Sequence, residues 1–170
     1  MMDFMGHLHS AHRSLFCFEV LQDGALGDRL KFYEEFLRKG SCGLSFLQEW
    51  NAFVGGKTAY GIPVRRVRLI RFPLTNYTKF ALHTYQASAK VGEDTWVIAD
   101  EDFDKLGIPS KDFWLIDEHV VLSLEYDSAG NYLQCHRQGG VSLAYAQYAR
   151  DLLSSAVPLG TFLSAVNGKA

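Results

Sequence analysis

The stretch Val64-Arg65-Arg66-Val67-Arg68-Leu69-Ile70-Arg71 decides the fold together with Asp112-Phe113-Trp114-Leu115-Ile116-Asp117 and its continuation Glu118 to Tyr126. Both segments are rich in β-branched and aromatic residues that alternate with period two, the pattern of strands. In the first, Val67 and Leu69 point one way. Arg66 and Arg68 point the other, flanked on their own face by Val64 and Ile70. In the second, Glu118-His119 marks a turn, although it lacks the Asn-Gly preference of a tight hairpin. Val120, Leu122, Leu124 and Tyr126 then form a buried row, with Val121, Ser123 and Glu125 facing away. Asp127-Ser128-Ala129-Gly130 supplies a second turn and Asn131 to Arg137 a further strand, which completes an antiparallel meander. Phe113, Leu115, Leu122, Leu124, Val67 and Leu69 are expected to share one core.

Working outward, Ser14 to Val20 alternates as a strand, with Phe16, Phe18 and Val20 on one side and Leu15, Cys17 and Glu19 on the other. Leu26 to Lys39 has helical spacing at Leu26, Leu30, Tyr33 and Leu37, widened by Phe36, and Gly40 stops it. Leu44 to Val54 is a second helix, with Ser45 and Gln48 in a capping-box pattern and Gly55-Gly56-Lys57 as its end. The Gly-Gly-Lys-Thr run is not a phosphate loop, because it lacks the first glycine and follows a helix. A third helix runs from Thr75 or Asn76 to about Lys90. Glu93 to Ala99 is a short strand, and Asp100 caps a helical turn that Gly107 and Pro109 end. Val141 to Ser155 is the last long helix. Pro158 breaks it, and Leu159 to Val166 is an apolar tail suited to covering an edge or a partner. The N-terminal segment 1–13 reads as a histidine-rich surface stretch (His7, His9, His12) rather than a metal site.

A chain of 170 residues with 48% hydrophobic and 21% charged residues has the composition of one globular domain. The expected organisation is a single domain over 1–170, with 158–170 as a C-terminal tail. A net charge of −2 argues against direct nucleic-acid binding and against a membrane surface, since both favour basic patches. The aromatic fraction of 14% suffices for a large core and for an oligomer interface. Three widely spaced cysteines without a Cys-x-x-Cys pair fit a reducing compartment and give no zinc signature. No basic flank leads into a long apolar run, so the cytoplasm is the expected location.

The candidate site rests on the strand parity. Two arginines on one strand face lie about 6.5–7 Å apart, a spacing that holds two oxyanions or one elongated anion. They equally pair with carboxylates on neighbouring strands. Glu19, Asp112 and Glu125 are such carboxylates, and Trp114 and Tyr77 complete the candidate ligand-binding set. No catalytic residue, metal ligand or cofactor is assigned. Glu19 or Asp112 acting as a general base defines a less favoured, hydrolase-type alternative.

Five motifs give the chain a wider resemblance. They are Phe16 to Glu19, Arg66-Val67-Arg68, Pro73-Leu74-Thr75-Asn76-Tyr77, Gly92-Glu93 and Asp112 to Asp117. In this order, from about Phe16 to about Ala156, the chain resembles an uncharacterised bacterial family of unknown function (6879-type). Members are often encoded beside helix-turn-helix regulators. The resemblance implies a regulatory accessory role and a helix-turn-helix regulator as partner. It attaches no activity. The chain departs from the family where Ala99-Asp100 replaces the usual arginine at the end of the Gly-Glu strand.

The resulting expectation is an α+β fold with a mixed, mainly antiparallel sheet of five or six strands and helices largely on one face. The expected function is a non-enzymatic regulatory or protein-interaction module of a transcription-regulator system. The alternative is a sensor of a small anionic ligand, phosphate or carboxylate, held by Arg66 and Arg68.

Overall fold

Strand β1 (Leu15–Glu19) lies at the centre of the sheet, and its alternating side chains divide the protein into two halves. A computed structural model describes residues 3–168 of the chain; residues 1 and 2 of the N-terminal segment and 169 and 170 of the tail lie outside the described residues. The other strands are β2 (Val64–Ile70), β3 (Glu93–Ala99), β4 (Phe113–Ile116), β5 (Val120–Tyr126), β6 (Tyr132–Gln138) and β7 (Val157–Pro158). The helices are α1 (Phe4–His9), α2 (Leu30–Lys39), α3 (Gln48–Ala59), α4 (Asn76–Ala89), α5 (Asp100–Asp104), α6 (Ser142–Ser155) and α7 (Leu159–Asn167).

The sheet has seven strands in the order β6-β5-β4-β1-β2-β3-β7. The β1–β2 and β2–β3 pairs are parallel and the others antiparallel, so the sheet is mixed and mainly antiparallel. The parallel pairs follow from the chain order. Parallel neighbours need a crossover, which α2 and α3 provide between β1 and β2, and α4 between β2 and β3. The sheet exceeds the expected five or six strands because of β7. Pro158, read from sequence only as a helix breaker, pairs opposite Trp96 at the sheet's edge, where its missing N–H is tolerated. The apolar tail folds into α7, whose Leu159 packs with Ile70, Leu82, Tyr85 and Val97.

The register fixes which side chains share a face. Phe16 and Phe18 lie with Val67, Leu69, Ile98, Phe113, Leu115 and Val121, covered by Phe103 of α5 and by Ala146, Ala149 and Leu152 of α6. Leu15 and Cys17 lie on the opposite face with Val64, Trp114, Ile116 and Leu122, covered by Leu8 of α1 and by Phe53 and Val54 of α3. The sheet is therefore covered on both faces rather than largely on one, and the single core expected from sequence is divided between them. Leu122 packs on the opposite side from Phe113, Leu115, Val67 and Leu69.

Several local expectations change for physical reasons. The Ser45–Gln48 capping box does not form: Ser45 to Leu47 is a 3₁₀ turn, and no side-chain cap bond starts α3. Helix α3 continues through Gly55 and Gly56 to Ala59, anchored by the Thr58 hydroxyl, which donates to the carbonyls of Val54 and Val91 at 3.0 and 3.1 Å. Helix α2 leaves Leu30 and Leu37 about half exposed and instead sets Tyr33 and Phe36 against Phe80 of α4. The N-terminal segment is not merely a surface stretch, because Leu8 and Ala11 are fully buried. The β4–β5 turn places Asp117 and Glu118 at positive φ, and the Asp117 carboxylate accepts the backbone N–H groups of His12, Arg13 and Ser14. That nest ties the N-terminal segment to the hairpin.

Candidate functional site

Register brings the charged side chains of three strands together on the second face. Glu19 stands opposite Arg68, Cys17 opposite Arg66, and Arg66 opposite Thr95. Arg66 has its Nε donating to Glu93 Oε1 at 2.8 Å and its Nη2 at 2.7 Å from the same oxygen. Its Nη1 donates to Glu19 Oε1. Trp50 Nε1 donates to the second oxygen of Glu93 at 3.1 Å. The Arg66 guanidinium also lies 4.9 Å from the Tyr85 ring centroid and 5.7 Å from that of Trp50. Arg66 therefore spans two carboxylates between two aromatic faces, an arrangement that suits a planar, weakly hydrated cation.

Arg68 is 2% exposed. Its Nη1 lies 3.5 Å from Glu19 Oε2, its Nη2 donates to the Leu21 carbonyl, and its Nε has no acceptor. The Tyr85 hydroxyl donates to Glu19 Oε2. Asp112, just before β4, accepts the Val20 N–H at 2.6 Å and the Tyr126 hydroxyl at 2.8 Å. These groups border a cavity of about 340 Å³ whose wall continues over Trp50, Tyr77, Phe80 and Tyr132. Its rim is formed by the loop after β1 and the β5–β6 turn, which meet where the Ala25 N–H donates to the Gly130 carbonyl at 3.3 Å. Gly130 has φ +78°, and a Cβ there would meet Gly24 Cα at 2.8 Å, so this junction requires glycine.

The electrostatics follow from burial and pairing. Burial pushes the Glu19 carboxyl up, but the guanidiniums of Arg66 and Arg68 and the Tyr85 hydroxyl outweigh it and hold it below the usual carboxylate range. Asp112 goes the other way: burial and the neighbouring Glu19 charge raise it, against the Val20 N–H and Tyr126 hydroxyl. Burial lowers the tendency of Arg66 to stay charged, yet Glu19 and Glu93 hold its proton more firmly than in water. Burial and Glu19 raise the Tyr85 phenol and the Cys17 thiol well above their ordinary values, so both stay neutral. An uncharged thiol is a poor nucleophile.

Of the residues named from sequence, Arg66, Arg68, Glu19, Asp112 and Tyr77 border the cavity. Two do not. Trp114 is 4% exposed and packs edge-on against Phe4 and Trp50 in the core beneath. Glu125 lies on the opposite face of β5, where it accepts from Gln134 at 2.9 Å and pairs with His136 at 2.7 Å in solvent. Odd parity put it there, since the arginine face carries the even residues of β5. Glu93, Tyr85, Trp50 and Tyr126 were missed. Glu93 carried a signal, because it shares strand parity with Val97, which lies opposite Arg68, but using it required knowing that β2 and β3 are parallel.

The five motifs behind the family resemblance converge here: Glu19, Arg66 with Arg68, Tyr77, Glu93 and Asp112 each come from one of them, and all border the cavity. The family profile described as a domain of unknown function, DUF6879, matches residues 2–164. The chain belongs to the DUF6879 family. No curated protein matches it. Among the described residues of this DUF6879 chain, no group of three or more His, Cys, Asp or Glu side chains is placed to hold a metal ion, and no helix is long and apolar enough to cross a membrane.

Proposed function

We propose that the chain is a non-enzymatic module that binds a small ligand in this cavity and acts as a regulatory accessory to another protein. The observation that carries the reading is the convergence of five motifs, distant in sequence, on one cavity with buried charged walls. A buried ion network is a poor source of stability compared with apolar packing. Its position beside a cavity is better accounted for by a site that needs fixed polar geometry. The enzymatic alternative is less well supported. Glu19 is a weak base between two guanidiniums.

The bacterial helix-turn-helix regulator that the resemblance implies is the partner in this reading. The loop after β1 and the β5–β6 turn would carry the signal, because they border the cavity and reach the surface. Arg66 and Arg68 serve here as walls rather than as free anion anchors, since their charges already face Glu19 and Glu93.

The test is a thermal-shift screen of the full chain against nucleosides, nucleotides and anionic and neutral metabolites. A ligand that binds only the folded state at about 100 times its Kd stabilises it by about 2.7 kcal/mol. A saturable rise in Tm that disappears in a cavity variant supports the reading. Absence of any shift at millimolar concentrations would leave a protein-interaction module without a ligand.

A further inference from the structure

The cavity's charged lining is balanced: carboxylates Glu19, Glu93 and Asp112 stand against guanidiniums Arg29, Arg66 and Arg68. The arginine pair read from sequence as an anion site is thus matched before any ligand arrives. A ligand with net charge of either sign would bring an unpaired charge into a partly buried space, which is costly. Two groups are matched only in part. Asp112 is 6% exposed and touches no cation, its oxygens accepting only from Val20 and Tyr126. The Arg68 Nε–H, itself buried, has no acceptor. Trp50, Tyr77 and Tyr132 are aromatic members of the cavity lining. Its volume of about 340 Å³ is at the small end of ligand pockets, roughly 300–1,000 Å³.

Resting on the reading of this cavity as a ligand site, we infer that its ligand is a flat, uncharged heterocycle carrying N–H and C=O groups side by side, of the nucleobase class. Aromatic walls accept a flat ring by stacking. An amide-type edge offers a donor on the carboxylate side and an acceptor on the guanidinium side, and it adds no net charge.

Calorimetric titration of the full chain with adenosine, uridine, their monophosphates and inorganic phosphate tests this. An uncharged nucleoside is expected to bind saturably, with its monophosphate at least tenfold weaker. Tyr77→Ala removes a half-buried wall ring, and Ala81→Leu narrows the space. Each is expected to weaken nucleoside binding at least tenfold, with Tm as the check on folding. Tighter binding of a monophosphate or of inorganic phosphate, lost in the same variants, overturns the ligand class but keeps the cavity as a site. Nucleoside binding unchanged in both folded variants overturns the class and the site together. Titrations with no saturation by any of the five probes overturn the class, and the wider metabolite screen then decides the site.

Discussion

The two faces of β1 and β2 are made from the same strands, yet they solve burial in opposite ways. Phe16, Phe18, Val67 and Leu69 are packed dry under α5 and α6, with nothing to satisfy except shape. One residue along the chain, Cys17, Glu19, Arg66 and Arg68 face the other way, where every charge must find a partner. An apolar face loses stability in proportion to the volume removed. A charged face fails differently, because removing one member strands the others. Strand parity alone therefore does not tell a ligand site from a structural network. What decides is how many opposite charges the neighbouring strands deliver.

The largest effect is expected from Arg66→Ala, which leaves Glu93 without a cation and Glu19 with Arg68 alone. Chemical denaturation should show a loss of about 3–5 kcal/mol, and a loss below about 1 kcal/mol would mean the carboxylates are not held by this residue. On the dry face, Leu69→Ala should cost about 2–5 kcal/mol through an unfilled cavity. Adding small apolar solutes should recover part of that loss, and no such recovery should occur for Arg66→Ala.

Acid separates the faces further. Glu19 is held below its ordinary value, so its pairing stabilises the fold fully above the ordinary carboxylate range and is lost as pH falls through the folded value. Asp112 is raised, so its ionisation costs stability at neutral pH, and the cost is relieved as pH falls through its folded value toward the ordinary one. Tm should hold or rise slightly on approach to the ordinary carboxylate range and fall below it. Glu19→Gln should lower Tm at neutral pH and make the acid limb shallower. An acid limb parallel to wild type would place the titration elsewhere. The smallest effect belongs to Glu125→Gln: Glu125 is exposed on the far side of β5, and a change within about 0.5 kcal/mol is expected in a urea melt.

Much of this was legible in the sequence. Period-two alternation located six of the strands, and the even positions of Arg66 and Arg68 put both on one face, as found. Thr75 was readable as a cap, and its hydroxyl accepts the Thr78 N–H at 3.0 Å. What could not be read was anything that depends on pairing partners. Val157-Pro158 is too short to show a period. Leu122 and Val121 are both fully buried because both faces are covered, a state that alternation cannot signal. Glu93 was readable as the first residue of a strand, but only the parallel register of β2 and β3 sets it beside Arg66. Glu125 looked like a site residue until the same register logic turned it away.

The arginine charge is already engaged by buried carboxylates, and a double-mutant cycle on Arg66 and Glu93 measures this engagement. Arg66→Met, Glu93→Gln and the double variant are compared with wild type by urea denaturation. Both single variants are expected to be destabilised and the double variant to lose less than their sum, with a coupling of about 0.5–3 kcal/mol. Strict additivity, or single variants as stable as wild type, would show instead that Arg66 is not held by Glu93 and is free to meet a ligand.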